Sequence, residues 1–265
     1  MSYSEVEGVA RLVRINSEER QNPTVDASNH FTVNFGNSTQ LMDINRIVLK
    51  QISIPNVQYN VRAALGLNPV GNVFSYDNGA PQSITVTPGN YSITQLMATI
   101  NANAQAVADG LVLTLDPITS HVTFTSTTAI SYSNQVGGNN MAYILGITAD
   151  SAPAVLSFTA GGLPDLSVHP NIYIASAALS DGSNMVSPTL GSLPICAVIP
   201  ITVPFGGIIN YAPSQEHLDD IHFISYASGK SIQTVDLVVY DGDANLIDLQ
   251  GLNWTFVVKA YQAPA

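Results

Sequence analysis

The chain has 265 residues, only 10% of them Asp, Glu, Lys or Arg, and a formal net charge of −11. Ordinary soluble domains are about one quarter charged, so a polar remainder rich in Asn, Ser, Thr and Gln suits surfaces that meet other protein rather than water, and equally a weakly charged extracellular-type β-domain. Eight basic residues against nineteen acids repel phosphate, so the body of the chain is expected not to bind nucleic acid directly.

The charge is uneven. Arg11, Arg14, Arg20, Arg46, Lys50 and Arg62 fall in the first 62 positions, and beyond them only Lys230 and Lys259 remain. Residues 1–29 are polar, with Glu18-Glu19-Arg20-Gln21-Asn22-Pro23 at their centre, and read as an extended N-terminal arm. Without apolar periodicity such a segment cannot fold alone, and it is expected to be ordered by contact with a neighbouring subunit through Arg11, Arg14 and Arg20. Its opening, Ser2 to Glu7, is polar and acidic, unlike a signal peptide, which predicts synthesis in a reducing compartment. No apolar run approaches the ~20 residues that span a bilayer, so no membrane span is expected.

Strand patterning begins at Phe31–Phe35, with Phe31, Val33 and Phe35 inward, and continues at Arg46–Ile54, stopped by Pro55-Asn56. Val73–Tyr76 closes on Asp77-Asn78-Gly79, a turn signal. Ile84–Val86 reads as a further strand. Ser92 and Gln95 make a capping box for one helix, in which Ile93, Leu96, Met97, Ile100, Ala104 and Val107 recur at helical spacing before Gly110. A hairpin runs from Leu111–Leu115 through Asp116-Pro117 to Val122–Thr125. Residues 82–147 therefore form a strand–helix–hairpin module inserted into the main domain.

Ser151 to Pro170 reads as loop. Strands resume at Ile172–Ser176 and Ile195–Val203, a region whose prolines confine it to edges and long loops. The close is a hairpin around Asp241-Gly242-Asp243, with Val235, Leu237 and Val239 alternating on one strand and Leu252, Trp254, Phe256 and Val258 inward on the other. The pattern predicts a mostly β protein: a single jelly-roll β-sandwich (residues 30–81 and 148–265) with an inserted small α+β module, its core holding Trp254, Phe256, Phe31 and Phe35.

No constellation of residues calls for chemistry. Gly229-Lys230-Ser231 lacks the leading glycine of a phosphate loop, since position 224 is Ile224. Glu216-His217-Leu218-Asp219-Asp220-Ile221-His222 has neither helical nor strand-face metal-ligand spacing. Asp241, Asp243 and Asp248 lack the remainder of a calcium loop, and Asp-Gly-Asp is turn chemistry. Cys196, the single cysteine, sits in an apolar run and reads as a buried small hydrophobe. Neither a catalytic residue, nor a cofactor, nor a metal is expected.

The order of segments carries a resemblance. Arg14-Ile15-Asn16-Ser17-Glu18-Glu19-Arg20 leads into Phe31-Thr32-Val33-Asn34-Phe35, then Ile52-Ser53-Ile54-Pro55-Asn56-Val57-Gln58-Tyr59-Asn60 and Thr87-Pro88-Gly89-Asn90-Tyr91-Ser92. Val235-Asp236-Leu237, Asp241-Gly242, Leu249-Gln250-Gly251 and Asn253-Trp254 close it. This series resembles the single jelly-roll penton or minor capsid proteins of virophages, polinton-like viruses and relatives of large DNA viruses. The resemblance implies a non-enzymatic virion protein, a homopentamer at the fivefold vertices of an icosahedral capsid, with a major capsid protein as neighbour. A minor cement protein and a carbohydrate-binding jelly roll are the alternative functions.

Overall fold

The computed structural model describes residues 10–22, 27–36, 41–62, 71–132, 141–148, 154–180, 185–187, 191–213 and 223–262. Two compact units divide the chain, residues 1–58 with 169–265 and residues 59–168.

The first unit is a jelly-roll-type sandwich of antiparallel sheets. One sheet runs in the order β1 (Ala10–Asn16), β16 (Thr255–Gln262), β3 (Leu41–Pro55) and β13 (Ile208–Tyr211), with β14 (Phe223–Ile232) also paired to β3. The other runs β12 (Ile195–Pro200), β9 (Asn171–Ala175), β15 (Thr234–Tyr240) and β2 (His30–Asn34), and β10 (Met185–Ser187) pairs with β11 (Gly191–Leu193) as a separate two-stranded ribbon. Successive strands change sheets, as from β1 to β2 to β3 and from β14 to β15 to β16. The reason is the period-two pattern: each strand has one apolar face, and two sheets can bury all such faces against each other. Ile15, Ile52 and Phe256 from the first sheet meet Phe31, Ile174 and Leu237 from the second in one core, all at most 1% exposed.

The expected closing hairpin is corrected here. β15 pairs with β2 and β9, whereas β16 pairs with β1 and β3, so residues 241–254 cross between sheets. The acidic turn is real but local. Asp241 is fully buried, its carboxylate accepting the backbone N–H groups of Asp243 and Asn245, each at 2.9 Å. Leu252, expected inward, is 48% exposed because the strand begins only at Thr255.

The arm is corrected as well. Residues 10–16 are β1, paired over seven positions with β16, and Ile15 enters the core at 1% exposure. Ser17 then locks the segment: its backbone N–H donates to the Trp254 carbonyl at 3.0 Å, and its hydroxyl accepts from the Trp254 N–H at 3.0 Å. Trp254 donates its indole N–H to the Ser28 carbonyl at 2.7 Å. Val13 and Ile15 are inward positions of an edge strand of the chain's own sheet, masked in the sequence by Arg11 on the same face and Arg14 on the other.

The second unit is wider than the expected module at 82–147. β4 (Val73–Asp77) pairs with β5 (Pro81–Thr85) and with β7 (Val122–Tyr132), which also pairs with β6 (Val112–Leu115) and β8 (Val155–Thr159). The strand β8 lies in the stretch expected to be loop. The capping box closes as expected, the Gln95 N–H donating to Ser92 Oγ at 3.2 Å and the Ser92 N–H to Gln95 Oε1 at 2.9 Å. The single helix is instead two, α1 (Ile93–Asn101) and α2 (Ala104–Asp109), because Asn103 breaks in with its own N-cap to the Gln105 N–H. That break leaves Val107 65% exposed rather than inward.

Phe74, Tyr76, Phe124, Tyr132 and Phe158 form the aromatic heart of this unit, with neighbouring rings 4.8–6.1 Å apart. Gly146 takes φ +78°, and the Gly162 carbonyl stands where its Cβ would be, a close approach that only glycine permits.

Candidate assembly surfaces

Chemistry first: the Cys196 side chain is 3% exposed, donates to the Ile174 carbonyl at 3.3 Å and has its pKa pushed up to about 12 by burial. A thiol so protonated and enclosed is no nucleophile. Gly229-Lys230-Ser231 lies within the strand β14, not in a loop before a helix. His169 Nε2 and Asp243 Oδ2 meet at 2.8 Å, and among the described residues they belong to no group of three possible metal ligands. No group of three or more His, Cys, Asp or Glu that could hold a metal occurs among the described residues. The 216–222 cluster lies outside them.

What the first unit does present is a pair of sheet faces of opposite character. The strands of the β1–β16–β3 sheet carry Arg11, Arg14, Arg46, Lys50, Lys230 and Lys259 against a single acid, Asp43. Six of the chain's eight Lys and Arg are thus gathered in one sheet. Register brings residues distant in sequence side by side. Leu12 lies opposite Lys259 and Lys259 opposite Val48, while Tyr261 lies opposite Arg46.

Tyr261 organises the outward group. The Arg46 guanidinium sits 4.0 Å from the Tyr261 ring centroid and the Lys259 ammonium 4.7 Å from it. Burial alone would raise the Tyr261 phenol, but Lys259, Arg46 and Lys50 outweigh it and hold the phenol below its ordinary value. Their inward neighbours Phe256, Val258 and Ala260 are buried, so the alternation turns the cations to the outside of the sandwich.

The strands of the β12–β9–β15–β2 sheet carry one acid, Asp236, and neither Lys nor Arg. Its outward positions mix tyrosine and aliphatic side chains with uncharged polar ones such as Thr32, Asn34 and Thr234. Tyr240 lies opposite Tyr173 and Tyr173 opposite Val198, all three half-buried. Desolvation by burial, then the Asp236 charge, raise the Tyr240 phenol. Asp236 also accepts the Ala177 and Ala178 N–H groups at 3.2 and 3.0 Å and the Ser176 hydroxyl at 3.3 Å, which fixes the turn after β9. A charge-depleted, tyrosine-bearing face matches the central part of protein–protein interfaces.

The residues singled out in the sequence divide accordingly. Arg11 and Arg14 are exposed on β1, with Arg14 3.2 Å from Glu19. Arg20 turns back into its own chain, donating to the Ser17 carbonyl at 2.9 Å and to Asn253 Oδ1 at 3.3 Å. Trp254 and Phe256 are 2% and 1% exposed, Phe31 is 1% exposed, and Phe35 is half-buried against the core. Sequence reasoning missed Arg46, Lys50, Lys259 and Tyr261 as one group, since the only available signal, alternation of basic with buried apolar positions, does not reveal which strands pair.

No protein-family model and no curated protein sequence matches the chain. Among solved structures it is similar to the mavirus penton protein, with a TM-score of 0.51 and 10% identity over 96% of this chain and 100% of that one. The likeness is one of fold, that of a viral penton-like jelly roll.

Proposed function

We propose that the chain is a structural virion protein, a penton that closes the fivefold vertices of an icosahedral capsid as a homopentamer beside a major capsid protein. The observation that carries this reading is the fold-wide likeness to the mavirus penton protein, which spans both units of this chain. The charge-depleted tyrosine face supports it, because such a face is suited to burial against protein. The role is architectural: the protein binds its own copies and its capsid neighbours, and catalyses nothing. Its place is the virion.

Electron microscopy of the purified chain tests the ring directly. Class averages with fivefold symmetry are expected. Averages with another symmetry, or isolated monomers at concentrations far above those of assembly, would exclude the vertex role.

A further inference from the structure

We infer that the two opposite faces of the sandwich are the two halves of one self-association interface: the cationic β1–β16–β3 face of one copy docks on the tyrosine-bearing β12–β9–β15–β2 face of the next. The occupant is a second copy of this chain, and the inference rests on the proposed homopentamer, whose contact surfaces it assigns.

A cyclic ring of odd number is built from heterologous contacts, in which each subunit offers two different, mutually complementary patches. This sandwich has such a pair. On one side Arg46, Lys50 and Lys259 are held around Tyr261, flanked by Arg14 of β1. On the other lie Tyr173, Tyr240, Val198 and Asp236, with no Lys or Arg on any of the four strands.

Two copies of the cationic face repel each other, so that face cannot pair with itself. It needs an acidic or π-rich partner, and a second copy supplies both, since the cations that remain outside this sheet are Arg20 and Arg62 against eighteen acids. Tyr173 and Tyr240 offer ring faces to guanidinium and ammonium groups, and Asp236 offers charge, on a sheet whose strands carry no Lys or Arg to repel them. The chain's net charge of −11 disfavours a nucleic acid on the same cations.

The experiment uses two full-length variants with folding verified by melting curves, Arg46→Glu/Lys259→Glu on the cationic face and Tyr173→Arg on the other. Val198→Arg replaces the latter if it does not fold. Mass is read by light scattering for the unmodified chain, each variant alone and an equimolar mixture. The unmodified chain is expected to form the ring and each variant to stay monomeric. The mixture is expected to give a one-to-one dimer and nothing larger, because only one competent pair of faces remains.

Variants that assemble like the unmodified chain would overturn this assignment and leave the pentamer standing. Monomeric variants that fail to dimerise when mixed would also overturn it. An unmodified chain that stays monomeric would remove both readings. So would one that instead binds duplex DNA in a manner abolished by Arg46→Glu/Lys259→Glu, since the cations would then serve a polyanion.

Discussion

Trp254 joins three parts of the chain through its own atoms. Its ring meets Phe31 edge-on at 5.7 Å and Phe256 at 6.3 Å, its backbone is bonded to Ser17, and its indole N–H reaches Ser28. Trp254→Ala removes a large buried ring and a buried hydrogen bond together, and is expected to cost about 3–5 kcal/mol in urea unfolding. A cost below about 1 kcal/mol, or native fluorescence that is red-shifted and freely quenched, would contradict the packing. Cys196 gives a second test at the same scale. In the unfolded chain its thiol ionises near pH ~8.5, but in the folded chain burial holds it protonated up to about 12. The unfolded state therefore binds fewer protons over that window, and stability falls as pH rises through it. The folded thiol should be inert to a thiol reagent at pH 8 and become reactive on unfolding; prompt labelling of folded protein would refute its burial.

At the scale of elements, the strand β1 carries the main revision. Deleting residues 1–16 strips the edge of a sheet, opens Ile15 and the Ser17–Trp254 bonds, and is expected to lower the melting temperature by many degrees or abolish soluble expression. Unchanged melting would restore the view of these residues as a dispensable arm. Ser92→Ala removes one half of the capping box and should cost about 1 kcal/mol, measurable as a shift in the unfolding midpoint. Features set by neighbours in sequence were legible: the Ser92–Gln95 cap, the Asp77-Asn78-Gly79 turn, the alternation from Trp254 to Val258 and from Phe31 to Val33. Features set by pairing were not. Arg11 to Asn16 hides an edge strand because only one of its faces is covered, and nothing in Val235 to Val258 announces that its two strands part into different sheets. Val155 to Thr159 reads as loop from its flanking glycines and prolines, yet β7 supplies it with a partner. The cationic face was illegible for the same reason, being created by the register of β3 with β16.

At the scale of the whole molecule, the division at 59 and 168 is a matter of separate cores. Residues 59–168 hold their own buried cluster, from Phe74 and Phe124 to Leu145, and their own sheet. Expressed alone, that segment is expected to give a cooperative melt, whereas a cut at 82 and 147 separates β4 from β5 and β8 from β7 and should not. A segment 59–168 that is unfolded in isolation would tie the two cores into one. Assembly is the remaining level. The proposed ring-forming capsid subunit joins one basic sheet face to one bearing tyrosines. The most direct test is the absolute mass of the purified full-length chain by light scattering across a range of protein concentration. The account predicts a species of five times the 28.0 kDa chain mass that weakens as salt is raised, and a stable monomer of 28.0 kDa at every concentration would contradict it.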